Sequence, residues 1–340
     1  MKTDYSLLRH NTFGIEARAA YFAQYHSEQE LLTHLQFYRA ELNHLPLLLI
    51  GQGSNLLFLQ DFSGLILHSA IKMTSVVKET DNDVLLRVGS GMTWDNLVEY
   101  AINNGMYGIE NLSAIPGEVG AAAVQNIGAY GSEVKDSVES VECISIATGE
   151  KRVFHRDELA YGYRRSILKG ELRGQYAVTY VTFRLNKTFR PQLEYGGIRS
   201  ALQEDKIEES KLMASQLRTV ISNLRKRKLP DPQLQGNAGS FYMNPIVDRT
   251  LCNKLLEIYP DMPHYHVDED HEKIPAGWLI EQSGWKGRSM GPAGVSERQA
   301  LVLVNLGGAT GTDILRLSDA VCQSVEGKFG IRLIPEVNFI

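Results

Sequence analysis

The run Ser113–Gly131, SAIPGEVGAAAVQNIGAYG, limits the fold more than any other stretch of this chain. It is rich in glycine and alanine and carries almost no charge. Pro116 and the repeated glycines interrupt any continuous helix. Residues this small let a backbone lie close against a flat, bulky partner. A tight helix–sheet contact also uses small residues, but it does not need these breaks. A planar cofactor explains the run better.

Two further segments are glycine-rich. Leu45–Ile50 is a short apolar run that predicts a buried strand, and Gly51-Gln52-Gly53-Ser54-Asn55 follows it directly. Strand then Gly-x-Gly opens like a dinucleotide fingerprint, but Leu56 stands where the third glycine belongs, so the Rossmann pattern fails. Glycine backbone N–H groups with Ser54 and Asn55 as donors still suit an anion. A plain strand turn and a pyrophosphate cradle both remain open. The third segment, Gly236–Phe241 (GNAGSF), reads as a phosphate loop, a nucleophile turn or a tight bend. No glycine follows Ser240 by two places, and the Lys-Ser/Thr ending of a P-loop is missing. A serine nucleophile also needs a placed histidine base, so a hydrolase is unsupported.

Composition narrows the class. With 340 residues, 43% apolar and 22% charged, the chain suits two or three globular domains. Its net charge of −5 and its short basic block, Arg225–Lys228, argue against nucleic acid; the block reads as a solvated helix end. Cys143, Cys252 and Cys322 form no CxxC pair and suit free thiols in a reducing cytoplasm. No run approaches the roughly 18 apolar residues of a membrane span. His264, His266, Asp268, Glu269, Asp270 and His271 resemble a metal cluster in composition only; without ligand spacing they read as a solvated loop, and no metal is expected.

Strands are expected at 65–67, 84–88, 141–146 and 177–185, the last with Val178, Tyr180, Thr182 and Arg184 alternating. Thr93 caps an expected helix through Tyr100, and 203–228 has the spacing of one amphipathic helix. Leu229-Pro230-Asp231-Pro232 then looks like an interdomain linker, with a small α/β unit beyond it. In Tyr161–Ser166 two guanidinium groups beside tyrosines suit a carboxylate or phosphate.

Together these motifs resemble the UDP-N-acetylenolpyruvoylglucosamine reductase family, essentially end to end. The resemblance rests on NTFG at 11–14, GQGSNLLF at 51–58, IPGEVGAAAVQNIGAYG at 115–131 and YGYRRSILK at 161–169. It continues through KLPDPQLQGNAGSFYMNP at 228–245, AGWLIEQSGWKG at 276–287 and IPEVNFI at 334–340. It implies an α+β chain whose FAD-binding domain is of the vanillyl-alcohol-oxidase/PCMH type. Two subdomains, 1–72 with 330–340 and 73–215, would build that domain, and a smaller α/β substrate-binding domain would occupy 229–329.

The implied reaction completes UDP-N-acetylmuramate for peptidoglycan, with consequences for cell wall, cell shape and division. NADPH delivers hydride to noncovalent FAD, and flavin N5 passes it to the vinyl carbon of UDP-N-acetylglucosamine enolpyruvate. Gly51, Gln52, Gly53, Ser54 and Asn55 would hold the FAD pyrophosphate. Ser113, Ile115, Pro116, Gly117, Gln125, Asn126, Gly128 and Gly131 would line the rest of the cofactor. Arg164 and a protonated Glu336 would face the substrate carboxylate, and Ser240 would protonate the neighbouring carbon. Tyr130, Tyr163, Tyr195, Lys228, Asn244, Tyr265, Lys286 and Gln299 would contact substrate or nicotinamide nucleotide. Tyr195 and Tyr265 match the longer class of the family.

Ala121, Ala122, Arg165 and Met243 depart from the family pattern and put individual ligand contacts in question. The preference for NADPH rests on the resemblance alone, since no 2′-phosphate fingerprint is readable. A monomer in the cytoplasm, without nucleic acid or membrane partners, is expected. The competing readings are a flavin oxidase of the same fold and a noncatalytic nucleotide-sugar binding protein.

Overall fold

In the computed structural model, which describes residues 1–340, contacts group the chain into two units. Met1–Tyr5, Ala19–Gln52 and Ser63–Arg225 form the first, and Ser6–Arg18, Gly53–Phe62 and Lys226–Ile340 the second.

The first unit carries two sheets. One is ordered Lys2–Ser6, Arg18–Tyr25, Phe62–Ser69, Leu47–Ile50, the last two strands being parallel. The other is antiparallel, ordered Lys151–His155, Val138–Ser145, Tyr176–Asn186, Asp83–Gly89, Thr74–Glu79. Its central strand, Tyr176–Asn186, departs from the expected one-sided alternation, because residues 177–183 are all buried. Both faces of this strand are covered. Ala177 and Tyr180 join Leu65 and Leu67 in one core, while Val181, Phe183 and Leu185 join Trp94, Leu97 and Val98 in another.

Helix Trp94–Asn103 begins after Thr93 as expected, although the Thr93 side chain makes no capping bond. The Trp94 ring is fully buried edge-on to Phe183, and its indole N–H donates to Leu112 O at 2.9 Å.

The single helix expected over 203–228 is two helices, Ile198–Glu204 and Ala214–Lys228. Lys206 is left-handed at φ 55° and Leu212 is extended, so the chain turns between them. The hydrophobic spacing survives because Ile207, Leu212, Leu217, Val220 and Ile221 still meet in one cluster. The polar turn Glu208–Lys211 stays in water while the apolar residues flanking it return to the same core.

The second unit packs small sheets around helix Gly311–Phe329. Ile246–Asp248, His271–Lys273 and Tyr265–His266 form one sheet, and Ser289–Met290, Ala293–Val295 and Leu303–Asn305 another. The helix buries Ile314, Leu317, Val321, Val325 and Phe329 at helical spacing. Tyr242 is buried against it and its hydroxyl donates to Ser318 Oγ at 3.0 Å. The C-terminal strand Asn338–Phe339 runs parallel to Leu56–Leu57. In the Pro-rich turn at 229–232 Pro230 is buried, and its carbonyl accepts from Asn237 Nδ2 at 3.2 Å. The division falls one helical turn earlier, between Arg225 and Lys226.

Thr310 and Asp313 form a reciprocal capping box: Asp313 N donates to Thr310 Oγ1 at 3.2 Å and Thr310 N to Asp313 Oδ2 at 2.9 Å. Replacing Thr310 by alanine is expected to cost about 1 kcal/mol in urea unfolding. An unchanged midpoint would show that the cap contributes nothing.

Candidate active site

The Ser113–Gly131 run folds as turn, short helix, left-handed stop and two-stranded ribbon. Ser113 is fully buried, and its hydroxyl donates to Glu110 O at 2.6 Å. Gly117 is left-handed, and its N–H donates to Gln52 Oε1 at 3.0 Å. Gln52 is therefore tied to the cofactor run inside the first unit. Ile115 and Pro116 fill the turn between Ser113 and Gly117, and Ile115 packs against the Trp94 core. Helix Val119–Gln125 packs so closely that a Cβ on Gly120 would lie 2.7 Å from Ser90 Cβ.

Asn126 ends that helix in a left-handed conformation, φ 47°. Its Nδ2 donates to Gly162 O at 2.8 Å and Glu133 Oε2 at 3.0 Å, and its Oδ1 accepts from Lys135 N at 3.1 Å. Gly162 and Arg165 bridge to each other, making a tight hairpin with Arg164 left-handed at its tip. The Arg164 guanidinium donates to Gly128 O at 2.7 Å and lies 5.3 Å from the Tyr163 ring centroid. Tyr195 approaches Gly131, where an added Cβ would lie 3.4 Å away, and Gly196 abuts the Tyr130 ring. The first unit thus brings together Asn126, Gly128, Tyr130, Gly131, Tyr163, Arg164 and Tyr195.

Three neighbours of this site were not read from the sequence. Glu118 is the only charged residue in its glycine–alanine run, a signal that was available. Its carboxylate accepts from His68 Nε2 at 2.9 Å, and Gln24 Nε2 lies 3.1 Å from His68 Nδ1. A Cβ on Gly51 would lie 3.2 Å from Glu118 Oε2, so this buried chain supports the Gly51 turn from beneath. Arg225 donates from Nε to Ala114 O at 3.1 Å. Burial lowers the Arg225 pKa and raises that of the Tyr130 phenol, which the Arg225 charge opposes. Nothing in a helix-end block of basic residues distinguishes Arg225 before its helix is docked.

In the second unit, Gly53 is left-handed and a Cβ there would lie 1.9 Å from His10 O. Asn55 Nδ2 donates to Glu336 O at 3.2 Å, and Asn338 N donates to Asn55 O at 3.0 Å. Glu336 N donates to Phe241 O at 2.8 Å, which sets Glu336 beside the residue that follows Ser240. The GNAGSF turn itself is held by Asn237, whose Oδ1 accepts from Gly239 N at 2.9 Å. Gly236 presses on the chain, with 2.1 Å from its added Cβ to Phe13 O. Asn55, Phe241 and Glu336 thus join three remote segments by hydrogen bonds, with Ser54 and Ser240 as their chain neighbours.

The remaining expected contacts lie in varied settings. Asn244 Oδ1 accepts from Ala276 N at 2.9 Å, which directs its NH2 end away as the donor. Gln299 Oε1 lies against Gly277, Lys286 is paired with Glu281 at 2.9 Å, and Lys228 and Tyr265 are exposed. Gln125 closes its helix just before Asn126. Ala122 faces the core, and Arg165 is exposed. His271 and Asp268 of the acidic loop bond to each other at 2.8 Å.

The glycine turn with its amide and hydroxyl donors, and the broken glycine–alanine run beside a backbone-anchored arginine, fit a flavin dinucleotide. Residues 19–154 match the family described as FAD binding domain, so this is a flavoprotein oxidoreductase with the PCMH type of FAD-binding fold. Residues 231–340 match the family described as UDP-N-acetylenolpyruvoylglucosamine reductase, C-terminal domain. The chain is 52% identical to the reductase of that name from Bacteroides fragilis (strain YCH46), over all of both chains. It is 45% identical to that of Porphyromonas gingivalis (strain ATCC 33277), covering 100% of this chain and 99% of that one. The solved structure of the Thermus caldophilus enzyme aligns with a TM-score of 0.67 at 25% identity, covering 98% of this chain and 96% of that one. The chain belongs to the UDP-N-acetylenolpyruvoylglucosamine reductase family.

Asn126→Ala removes three hydrogen bonds and strains a left-handed backbone, so a loss of about 2–4 kcal/mol is expected in chemical unfolding. Asn126→Gly should recover about 1 kcal/mol of it, the backbone share. Wild-type stability in the alanine variant would refute the clamp.

Proposed function

We propose that this chain reduces the enolpyruvyl ether of UDP-N-acetylglucosamine enolpyruvate to UDP-N-acetylmuramate, using NADPH, for peptidoglycan synthesis. The observation that carries the reading is the hydrogen bond from Glu336 N to Phe241 O at 2.8 Å, which pairs the segments of two expected catalytic residues. FAD, held by Gly51–Asn55 and the Ser113–Gly131 run, would supply the hydride chemistry between NADPH and the vinyl carbon.

The chain's own residues handle the charge and the proton. Hydride addition leaves negative charge on the carbon that bears the ether oxygen and the carboxylate. Arg164 faces that carboxylate as a cation, held in place by the Gly128 carbonyl. A fixed donor of this kind is worth most where water is excluded. Glu336, protonated, adds a second hydrogen bond to the carboxylate. Ser240 donates its hydroxyl proton to carbon; a hydroxyl is a weak acid in water, but a carbon-centred enolate is a strong base.

Gly51–Asn55 hold the diphosphate of FAD, and Ser113, Ile115, Pro116, Gly117, Gln125, Asn126, Gly128 and Gly131 line its flavin and ribityl path. Tyr130, Tyr163, Tyr195, Lys228, Asn244, Tyr265, Lys286 and Gln299 bind substrate and nicotinamide nucleotide. In this reading 1–72 with 330–340 and 73–215 are the two parts of the FAD-binding domain, and 229–329 binds substrate. The two separate sheets of the first unit support the split within the FAD-binding half. We read the protein as a cytoplasmic monomer serving cell-wall growth, and hence cell shape and division. No helix is long and apolar enough to cross a membrane, and all three cysteines are free, the buried Cys143 thiol being pushed up to about 12.

The test separates the half-reactions. Under anaerobic conditions NADPH should bleach the flavin of Ser240→Ala at the wild-type rate. Recolouring by the enolpyruvyl nucleotide sugar should fall by about 10²–10⁴-fold. Equal losses in both steps would remove Ser240 as the proton donor. A protein that stays bleached even with Ser240 intact would overturn the reductase reading.

A further inference from the structure

Thr12 Oγ1 stands apart in this chain: it is the one buried side-chain nitrogen or oxygen with no hydrogen-bond partner. A buried hydroxyl without a partner is costly, so such an atom calls for an explanation. The surrounding strap is held by several hydrogen bonds. Asn11 Nδ2 donates to Leu7 O at 2.9 Å and Ile15 O at 3.0 Å, and Asn11 Oδ1 accepts from Ile15 N at 2.9 Å. Phe13 O accepts from Asn305 Nδ2 at 3.0 Å. The Thr12 main chain is held on both sides, its N–H donating to Gly53 O at 3.2 Å and its carbonyl accepting from Asn237 N at 2.9 Å.

The hydroxyl is thus carried on a strap bonded to Gly53, within the second unit. The contact is tight enough that a Cβ on Gly53 would meet His10 O at 1.9 Å. A hydroxyl held beside a loop of backbone and amide donors has one natural complement, an anionic oxygen. We propose that Thr12 donates its hydroxyl to the FAD diphosphate, as a cofactor-binding residue contributed by the N-terminal strap. The inference rests on the reading that Gly51–Asn55 cradle that diphosphate. It explains why a hydroxyl oxygen is buried at a half-buried position where valine would fill the same volume.

Two isosteric replacements test it in apoprotein stripped of flavin and titrated with FAD, following flavin fluorescence. Thr12→Val should weaken FAD binding by about tenfold to a hundredfold, the range for a hydrogen bond to a charged group. Thr12→Ser, which keeps the hydroxyl, should bind within about threefold of wild type. The apoprotein of Thr12→Val should unfold at the same temperature as wild type or higher, because the unpartnered hydroxyl is gone. The signs are therefore opposite for the two forms: a more stable apoprotein and a weaker holoprotein.

Wild-type FAD affinity in Thr12→Val would overturn the proposal. So would equal thermal losses in apo and holo forms, which would make the hydroxyl structural. A raised KM for the nucleotide sugar with unchanged FAD affinity would also overturn it, by assigning the hydroxyl to substrate. Failure of the wild-type apoprotein to bind FAD would instead overturn the flavin reading, and this inference with it.

Discussion

One left-handed asparagine organises the cofactor side of the first unit. Asn126 stops the short helix Val119–Gln125, and its side chain then bonds to Gly162 O, Glu133 and Lys135 N. Asparagine tolerates this backbone better than any other residue with a long enough side chain for three such bonds. The hairpin carrying Arg164 hangs from it, and Arg164 is fixed in turn on Gly128 O. The orientation of the Arg164 guanidinium therefore depends in part on a helix stop.

The second unit solves a different problem, the convergence of segments far apart in sequence. The strap at 11–14, the turn at 53–55, the GNAGSF turn and the chain near Glu336 are joined mainly by backbone hydrogen bonds. Thr12 to Gly53, Asn237 to Thr12, Asn55 to Glu336 and Glu336 to Phe241 form one connected set. Glycines at 53 and 236 allow the close approach, since a side chain at either would collide with backbone. Main-chain contacts of this kind fix the positions of the segments they join.

Much of this was legible beforehand. The strands near 47–50, 83–89 and 176–186 and the helix after Thr93 follow from local apolar pattern and capping, which are properties of neighbouring residues. The reading of one helix over 203–228 failed because periodicity shows which residues share a core but not whether the chain turns to reach it. At 229–232 two prolines announce a turn, yet the contact of Pro230 O with Asn237 carries no local signal. Among the site residues, Glu118 showed itself as a lone charge in an apolar run, but its partner His68 lies in a different strand with no signal of its own. Arg225 looked like one of four equivalent basic residues until docking buried it against Ala114 O and Tyr130.

By itself the sequence determined where the backbone must be small, where helices and strands start, and which ordered motifs place the chain in its family. These follow from sterics and from side-chain chemistry within a few residues. Tertiary structure alone decided that Arg164 is anchored on a carbonyl, that Glu336 meets the Ser240 turn, and that the Thr12 hydroxyl is buried without a partner. Each is a contact across a large sequence separation. Such contacts depend on distance and desolvation in the folded chain, and no local pattern encodes either.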